Sequence, residues 1–356
     1  MTLHVVHVAS GRQWRGGQRQ VWLLARELQR FSDLTQTVVT GAGTELARRL
    51  RQDGIPADPV AWSAGLDPRV VPAVLTAVRG RPALLHAHDA HAVTLAGICA
   101  WLSRKPLVAT RRVDFHLRRP GCWARAARVI AISDAVAAVL AADGIDPGRI
   151  AVVRSGIQLD GSPPVPLGIR GRLGLAPEAF IAANVAALVA HKDQATLVRA
   201  AALLRTRASA LHWVVAGEGP LKVSLQRLIA ELGVSDRVHL LGHIDEPARL
   251  VADANLFVMS SREEGLGTAV LDAMALGIPV ASTAAGGLPE MLGDGAGLLV
   301  APEDPGALAD AVCRLVDDAE LRQRLAETAR DVVQRFSAAR MAAEVRSVYR
   351  SCASLP

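Results

Sequence analysis

The strongest constraint on the fold is a regular alternation of short apolar runs and amphipathic segments, which occurs twice along the chain. Near-continuous apolar runs such as Leu3–Ala9 are typical of strands covered on both faces, whereas segments such as 18–29 carry apolar residues on one face. A glycine- and proline-rich segment, 158–168, has the composition of a linker, and the alternation restarts after it at 181–188. Strands that alternate with helices form parallel sheets, so the sequence predicts two doubly wound α/β domains.

Length and composition support this interpretation. A chain of 356 residues is longer than one hydrophobic core usually supports. The longest uncharged apolar run, 92–102, is too short to span a bilayer, and the N-terminus lacks the features of a signal peptide, so a cytosolic protein is expected. The four cysteines show neither CxxC spacing nor histidines at metal-ligand spacing, which favours reduced packing thiols.

The charge is unevenly distributed. Residues 1–160 contain 21 Lys and Arg against 12 Asp and Glu, whereas the remainder has 19 against 22. A basic first half suggests an anionic partner, which is either a lipid surface on the inner face of the plasma membrane or an acidic acceptor. A soluble arginine-rich protein with no such partner is an equal alternative. Nucleic acid is a weaker one, since only 3% of residues are aromatic and no binding motif is present.

A strand, an acidic glycine-rich turn and a helix follow one another between residues 254 and 277. Gly265 and Gly267 have no side chain that would obstruct an approaching phosphate. The backbone N–H groups of Leu266, Gly267 and Thr268 would point out of the helix start, where the helix dipole favours an anion. This turn therefore predicts a phosphate-binding site.

Two carboxylates flank that turn, Glu264 within it and Asp272 about one turn inside the helix. A carboxylate beside a bound phosphate is repelled unless it can accept hydrogen bonds from hydroxyl groups. A nucleotide sugar has this arrangement, because hydroxyl groups of its ribose and of its sugar lie on the two sides of the diphosphate. The alternative is that Glu263 and Glu264 are solvated loop charges and that Asp272 is a surface residue of the helix.

This stretch resembles the Glu-x7-Glu signature of the family 4 retaining glycosyltransferases, and residues 3–350 follow that family's pattern. The resemblance implies a GT-B-like α/β fold with two Rossmann-like domains facing a cleft. The acceptor-binding domain would span 1–160 and the nucleotide-sugar-binding domain 161–336, with a last helix in 337–356 crossing back to the first domain. Glu264 would contact the donor sugar, and Asp272, one methylene shorter than the usual Glu, would hold the ribose hydroxyls.

Further donor contacts are implied by the loops that follow the other predicted strands. Lys192, one of only three lysines in the chain, would place its charge on the diphosphate, although a surface lysine is the alternative. The family usually has an Arg five residues earlier, where this chain has Ala187, so one positive charge is missing and another group must supply it. Gly217 begins a turn resembling the family's Gly-x-Gly-Pro, and His243 and Ile244 lie where the family's backbone contacts the base.

In the first half, Gly16 and Gly17 follow the first strand and resemble the family's Gly-Gly loop, whose amides approach the diphosphate. The spacing of Gly11, Gly16 and Gly17 does not fit the GxGxxG pattern of dinucleotide binding, which counts against an NAD-dependent dehydrogenase.

His86 and His88 resemble the family's His-x-His, which implies that His88 lies near the transferred sugar and the leaving oxygen. A metal site is the alternative. We take the two histidines to face opposite sides of an extended segment, which argues against a shared ion, so no metal ligand is predicted. Arg111 and Arg112 follow the next strand and are interpreted as acceptor or phosphate contacts, with solvated charge as an equal alternative.

The residues and the resemblance together predict a retaining glycosyltransferase that transfers a sugar from a nucleotide-diphosphate sugar to a saccharide or lipid-linked acceptor. Synthesis of cell-surface polysaccharide or lipopolysaccharide is the expected role. No cofactor is expected. The chain contains no Asp-x-Asp, so helix N-termini and Lys192 would stabilise the diphosphate in place of a metal. Two alternatives remain: a nucleotide-sugar epimerase on the same fold, and a non-catalytic partner of an active transferase.

Overall fold

The computed structural model describes residues 2–62 and 65–353, and the chain divides into two compact units. The first unit comprises Met1–Gln158 together with Phe336–Pro356, and the second comprises Leu159–Arg335. These limits lie within two residues of the boundaries predicted at 160 and 336. No helix in the described ranges combines the length and the apolar character needed to cross a membrane.

The first unit is built on a seven-stranded sheet in which every pair of neighbouring strands is parallel. The strand order is β3-β2-β1-β4-β5-β6-β7. The strands are β1 (Leu3–Ala9), β2 (Leu34–Gly41), β3 (Ala57–Val60), β4 (Ala83–Ala87), β5 (Leu107–Arg111), β6 (Arg128–Ala131) and β7 (Ile150–Val152). The helices are α1 (Gly16–Leu28), α2 (Glu45–Gln52), α3 (Val70–Val78), α4 (Ala90–Ser103), α5 (Gly121–Ala124) and α6 (Asp134–Ala142).

The second unit has a six-stranded parallel sheet in the order β10-β9-β8-β11-β12-β13. Its strands are β8 (Phe180–Val185), β9 (Leu211–Ala216), β10 (Val238–Gly242), β11 (Leu256–Met259), β12 (Val280–Thr283) and β13 (Leu298–Val300). Its helices are α7 (Ile169–Arg172), α8 (Gln194–Leu203), α9 (Lys222–Glu231), α10 (Pro247–Ala252), α11 (Thr268–Ala275), α12 (Leu288–Leu292), α13 (Pro305–Asp317) and α14 (Ala319–Val333). The prediction of two doubly wound, Rossmann-like α/β domains is confirmed.

The last helix, α15 (Ala338–Ala353), belongs to the first unit and completes its core. Its apolar side chains, among them Met341 and Val345, pack with Leu24 of α1 and Leu84 of β4. Gly156, just before the point where the chain leaves this unit, lies against the backbone of α15: a Cβ at this position would lie 2.6 Å from the Cα of Ala338. Only glycine allows the two segments to approach so closely.

Some short elements were not predicted. Strand β3 lies at the edge of its sheet, contains Pro59 and is only partly buried, so it lacks the apolar pattern of a covered strand. Helix α4 begins at Ala90, two residues before the apolar run at 92–102, because the Asp89 side chain accepts from the N–H of Ala92 and caps its first turn. The α5, α7, α10 and α12 helices have four to six residues, too few to show a helical period.

Each sheet reverses its strand order once, between β1 and β4 in the first unit and between β8 and β11 in the second. In open parallel sheets, ligands bind beyond the carboxyl ends of the strands at such a reversal. The loops after β1 and β4, and those after β8 and β11, are therefore where a site is expected within each unit.

Candidate functional site

In the second unit, two predicted residues come together at the reversal point. Lys192 lies in the loop after β8 and Glu264 in the loop after β11, and their Nζ and Oε2 atoms form a salt bridge. The side chains are only 17% and 11% exposed. The hydroxyl of Ser261 donates to the same Glu264 oxygen at 3.3 Å. Because water screens such a pair only in part, the two charges hold each other in place.

Hydrogen bonds to backbone carbonyls hold the loop that carries Lys192 against the loop after β11. The N–H of Arg262 donates to the carbonyl of His191 at 2.8 Å, and its guanidinium donates to the carbonyl of Ala190 at 2.9 Å. The hydroxyl of Ser260 donates to the carbonyl of Lys192 at 3.1 Å. The salt bridge therefore joins two loops that are already fastened together, so its geometry does not depend on two long side chains alone.

The predicted phosphate turn has the expected form. Gly267 has a φ of 89° and is the N-cap of α11, a backbone conformation that glycine adopts readily. Within the described part of the chain, no side chain caps this helix start, and its first turn contains no acidic residue. Gly265 and Leu266 are buried beneath it, and Thr268 is the first helical residue. The positive end of the helix dipole thus lies next to the salt bridge in sequence, where Leu288 and Met291 pack against Gly267.

Asp272 lies in the middle of α11 and is partly exposed. Gly217, in the loop after β9, donates its N–H to the carbonyl of Gly242, the last residue of β10, at 2.8 Å. His243 follows, with its Nε2 3.2 Å from an oxygen of Asp245, and Ile244 is partly buried. The carboxyl edge of the sheet carries Gly217, His243 and Ile244 as well as Lys192. These three residues lie beyond β8, on the side of β9 and β10.

In the first unit, three histidines form a buried cluster at the reversal point. His7 of β1 pairs with His86 of β4 across the sheet, and His88 follows β4. The Nδ1 of His7 lies 2.9 Å from the Nε2 of His88, and the rings of His86 and His88 are 4.0 Å apart. The expectation that His86 and His88 face opposite sides is wrong, because residues two positions apart in an extended segment share a side.

The cluster is held by hydrogen bonds on both sides. The Nδ1 and Nε2 atoms of His86 lie 2.6 Å from the hydroxyls of Tyr349 and Thr110. The guanidinium of Arg112 lies 3.3 Å from the Nδ1 of His88. Arginine can only donate, so the Nδ1 of His88 accepts, and its Nε2–H donates to His7. The hydrogen bonds thus select one neutral tautomer of His88.

Burial keeps these imidazoles neutral. It lowers the pKa of His7 to about 3, and together with the neighbouring rings and Arg112 it lowers the pKa of His86 and His88 well below the usual value. One nitrogen from each of His7, His86 and His88 lies within 4.8 Å of the others, close enough to bind one metal ion. However, both nitrogens of His86 and His88 already have hydrogen-bond partners, and the Arg112 cation lies next to His88. The Nε2 of His7, in contrast, is buried without a hydrogen-bond partner among the described residues.

The other predicted residues of this unit have different environments. The guanidinium of Arg111 donates to the carbonyl of Phe115 at 2.5 Å and lies over the ring of Trp123, and its buried Nε has no hydrogen-bond partner among the described residues. The Arg112 side chain runs beside Gly17: a Cβ at position 17 would lie 3.9 Å from its Cδ. Gly16 is the first residue of α1.

Sequence reasoning missed His7, Thr110 and Tyr349. His7 joins the cluster only through the register between β1 and β4, which the sequence alone does not give. Tyr349 lies more than 260 residues from His86 along the chain. Its one signal was being the only tyrosine of the chain.

The buried histidines predict that acid destabilises the protein. The folded cluster resists protonation whereas the unfolded chain takes up protons near pH 6.5, so the free energy of unfolding should fall as the pH drops from about 6.5, by up to about 1.4 kcal/mol per pH unit for each histidine. For His7 this range should extend to about pH 3. Urea unfolding at pH 7.5 and 5.0 measures the slope. His7→Asn should lower the number of protons taken up on unfolding by about one. Replacement of the exposed His91 is the control, and equal pH slopes of the unfolding free energy in the two variants would contradict the assignment.

Comparisons with known proteins agree with this geometry. The family model "Glycosyl transferases group 1" matches residues 169–332, and the model "Glycosyltransferase Family 4" matches residues 14–160. The D-inositol 3-phosphate glycosyltransferase of Salinispora arenicola is 32% identical over 343 residues, which are 84% of this chain and 75% of that protein. The lipopolysaccharide core biosynthesis glycosyltransferase LpsE of Rhizobium meliloti is 34% identical over 170 residues, 47% of this chain and 49% of that protein. The chain spans about half the length of several other curated relatives that it matches, 48% in two of them.

Among solved structures, Anabaena Alr3699/HepE in complex with UDP-glucose superposes with a TM-score of 0.86 at 22% identity, covering 98% of this chain and 99% of that one. At this identity the likeness establishes the fold. Together, the two family models, the relative aligned over most of both chains and this structural likeness show that the chain is a glycosyltransferase of the GT-B fold and belongs to glycosyltransferase family 4.

Proposed function

We propose that this glycosyltransferase transfers a sugar from a nucleotide-diphosphate sugar to a saccharide or lipid-linked acceptor, with retention of the anomeric configuration. The observation that carries the proposal is the Lys192–Glu264 salt bridge at the reversal point of the second sheet, next in sequence to the uncapped start of α11. A cation, a carboxylate and free backbone donors suit a ligand that carries phosphates and hydroxyls together.

The salt bridge suggests how the donor is received. A diphosphate that binds Lys192 competes with Glu264 for the ammonium group, so binding releases a carboxylate oxygen that can accept a hydroxyl of the sugar. The diphosphate then leaves while the acceptor hydroxyl attacks from the same face. The departing phosphate oxygen takes the acceptor's proton, so no dedicated base is needed. Lys192 and the start of α11 stabilise the charge that develops on the leaving group, and we propose that no metal is required.

The remaining predicted residues have roles consistent with their positions in the second unit. Asp272 would hold the ribose hydroxyls, and Gly217, His243 and Ile244 would line the path of the base. The second unit would thus bind the donor, and the first unit, with His88 and its basic surface, would bind the acceptor. The name of LpsE supports a role in lipopolysaccharide or other cell-surface polysaccharide synthesis.

A surface of the first unit supports contact with an anionic membrane on the cytosolic side. Ile98, Trp101 and Leu102 lie on one face of α4 and are 45%, 77% and 51% exposed. Arg104 and Lys105 follow directly at the end of the helix. Apolar side chains beside cations suit the interface of a bilayer that contains anionic lipids. We refer to these five residues as the α4 patch.

Co-sedimentation with lipid vesicles tests the α4 patch. Wild-type protein should bind vesicles that contain phosphatidylglycerol more tightly than vesicles of phosphatidylcholine alone. Trp101→Ser with Arg104→Gln should weaken this binding about 100-fold or more, because about 1 kcal/mol from the cation and about 1.5–3 kcal/mol from burial of the aromatic ring are lost. Leu203→Ser, which replaces a similarly exposed residue of the second unit, is the control. Equal binding by all three proteins would exclude the patch.

Two other functions remain to be separated from this proposal. A nucleotide-sugar epimerase would convert the donor without any acceptor, so turnover of the donor alone distinguishes it. A non-catalytic partner of an active transferase is suggested by Ala187 and Asp272, which depart from the family pattern. The intact Lys192–Glu264 pair argues against loss of the donor site.

Glu264→Gln should lower the transferase kcat at least about 100-fold while changing the donor KM much less, because the amide keeps the shape of the side chain but not its charge. Glu263→Gln, the exposed neighbour, is the matched control and should behave like the parent.

The same assay reports the stereochemistry. With a panel of nucleotide sugars and saccharide acceptors, proton NMR of the first product should show the anomeric configuration of the donor. An inverted product would exclude the retaining mechanism. Equal loss of activity in both glutamate variants would remove Glu264 from its proposed role.

A further inference from the structure

Two donors converge on one oxygen of the Glu264 carboxylate. The Lys192 ammonium forms its salt bridge with Oε2, and the Ser261 hydroxyl donates to the same Oε2 at 3.3 Å. The two donors differ in their access to solvent, because the Lys192 side chain is 17% exposed whereas Ser261 is completely buried. A ligand that enters the site can therefore reach Lys192 but not Ser261.

The backbone that carries Ser261 is fixed independently of Lys192. The Ser261 carbonyl accepts from the hydroxyl of Thr283, the last residue of β12, at 2.6 Å. The carbonyl of Glu264 accepts from the N–H of Gly287 at 2.9 Å. The loop after β11 is thus fastened to β12 and to the loop that follows β12. The position of the Ser261 hydroxyl therefore does not depend on the Lys192 ammonium.

This difference between the two donors matters when a ligand binds. In the proposed donor binding, a phosphate that engages the Lys192 ammonium leaves the Glu264 carboxylate with one strong donor fewer. A largely buried carboxylate that loses a charged partner is driven to rotate towards other donors, since an unsatisfied charge costs free energy. The Ser261 hydrogen bond opposes this rotation, because it holds Oε2 at the same point before and after the exchange.

We propose that Ser261 is the positioning residue for Glu264: its hydroxyl holds the carboxylate in the orientation that receives a hydroxyl of the donor sugar. The inference rests on the proposed function, which supplies that sugar. Ser261 does not touch the substrate and acts only through Glu264. A misplaced carboxylate impairs the transition state more than ground-state binding, so the loss of Ser261 is expected in kcat rather than in KM.

Steady-state kinetics of the full chain, with a panel of nucleotide sugars and saccharide acceptors, tests the positioning role. Ser261→Ala should lower kcat about 10-fold, the effect of one hydrogen bond to a charged group, with a much smaller change in the donor KM. Ser261→Thr keeps a hydroxyl and should retain more of kcat. Ser282→Ala is the matched control and should behave like the parent, because Ser282 is equally buried but donates to the backbone carbonyl of Thr283.

A double-mutant cycle in urea needs no substrate and separates the inference from the proposed function. It compares the unfolding of wild type, Ser261→Ala, Glu264→Ala and the double variant at pH 7.5. If the hydroxyl holds the carboxylate, the two changes are not additive. The unfolding equilibrium constant of the double variant should then differ about 3- to 10-fold from the additive expectation.

Coupling in the cycle together with a reduced kcat in Ser261→Ala supports the inference. Additive effects in the cycle, or a kcat of Ser261→Ala equal to that of the parent, would overturn it. An equal loss of kcat in Ser282→Ala would do so as well, because it would report only the loss of a buried hydroxyl. If wild type transfers no sugar from any nucleotide sugar but the cycle shows coupling, the positioning of Glu264 stands and the proposed function fails.

Discussion

The salt bridge between Lys192 and Glu264 is the interaction on which the proposed donor site depends. The attraction acts between loops that leave two neighbouring strands, β8 and β11, where the order of the sheet reverses. Hydrogen bonds from the Ser260 hydroxyl and from the N–H and guanidinium of Arg262 to backbone carbonyls of residues 190–192 also hold these loops together. The pair therefore keeps a cation and a carboxylate at one place without a ligand, and in the proposed mechanism a diphosphate exchanges for one partner of this existing ion pair. This exchange lowers the free-energy cost of leaving either charge without a partner.

The first unit uses a different electrostatic arrangement on a sheet of the same kind. Its reversal point holds neutral groups: three buried histidines are connected to Thr110, Tyr349 and Arg112. Tyr349 comes from α15, so the helix that follows the second unit in sequence contributes to this cluster. Keeping the imidazoles neutral lets them accept from Arg112, and it makes the cluster sensitive to acid.

Much of this could be predicted from the sequence because it depends on local patterns. Alternating apolar runs gave both sheets, and the turn at 265–268 gave the uncapped start of α11. What could not be predicted depends on register and on contacts between distant segments. The contact of Lys192 with Glu264 and that of His86 with Tyr349 follow from strand order and helix packing. Many residues along the chain determine these together, so no local pattern predicts them. The error about His86 and His88 was of another kind, since the two-residue period of an extended segment already places them on one side.

Nucleotide binding by the Lys192 site is the most direct test of the central claim. UDP, GDP, ADP and CDP would be titrated calorimetrically in the presence of EDTA into wild type and Lys192→Ala, with Lys222→Ala as a lysine control from the same unit. The account predicts micromolar binding of one diphosphate without metal, weakened by about 1–3 kcal/mol in Lys192→Ala and unchanged in Lys222→Ala. Binding that requires a divalent metal, or that is the same in Lys192→Ala and wild type, would contradict it.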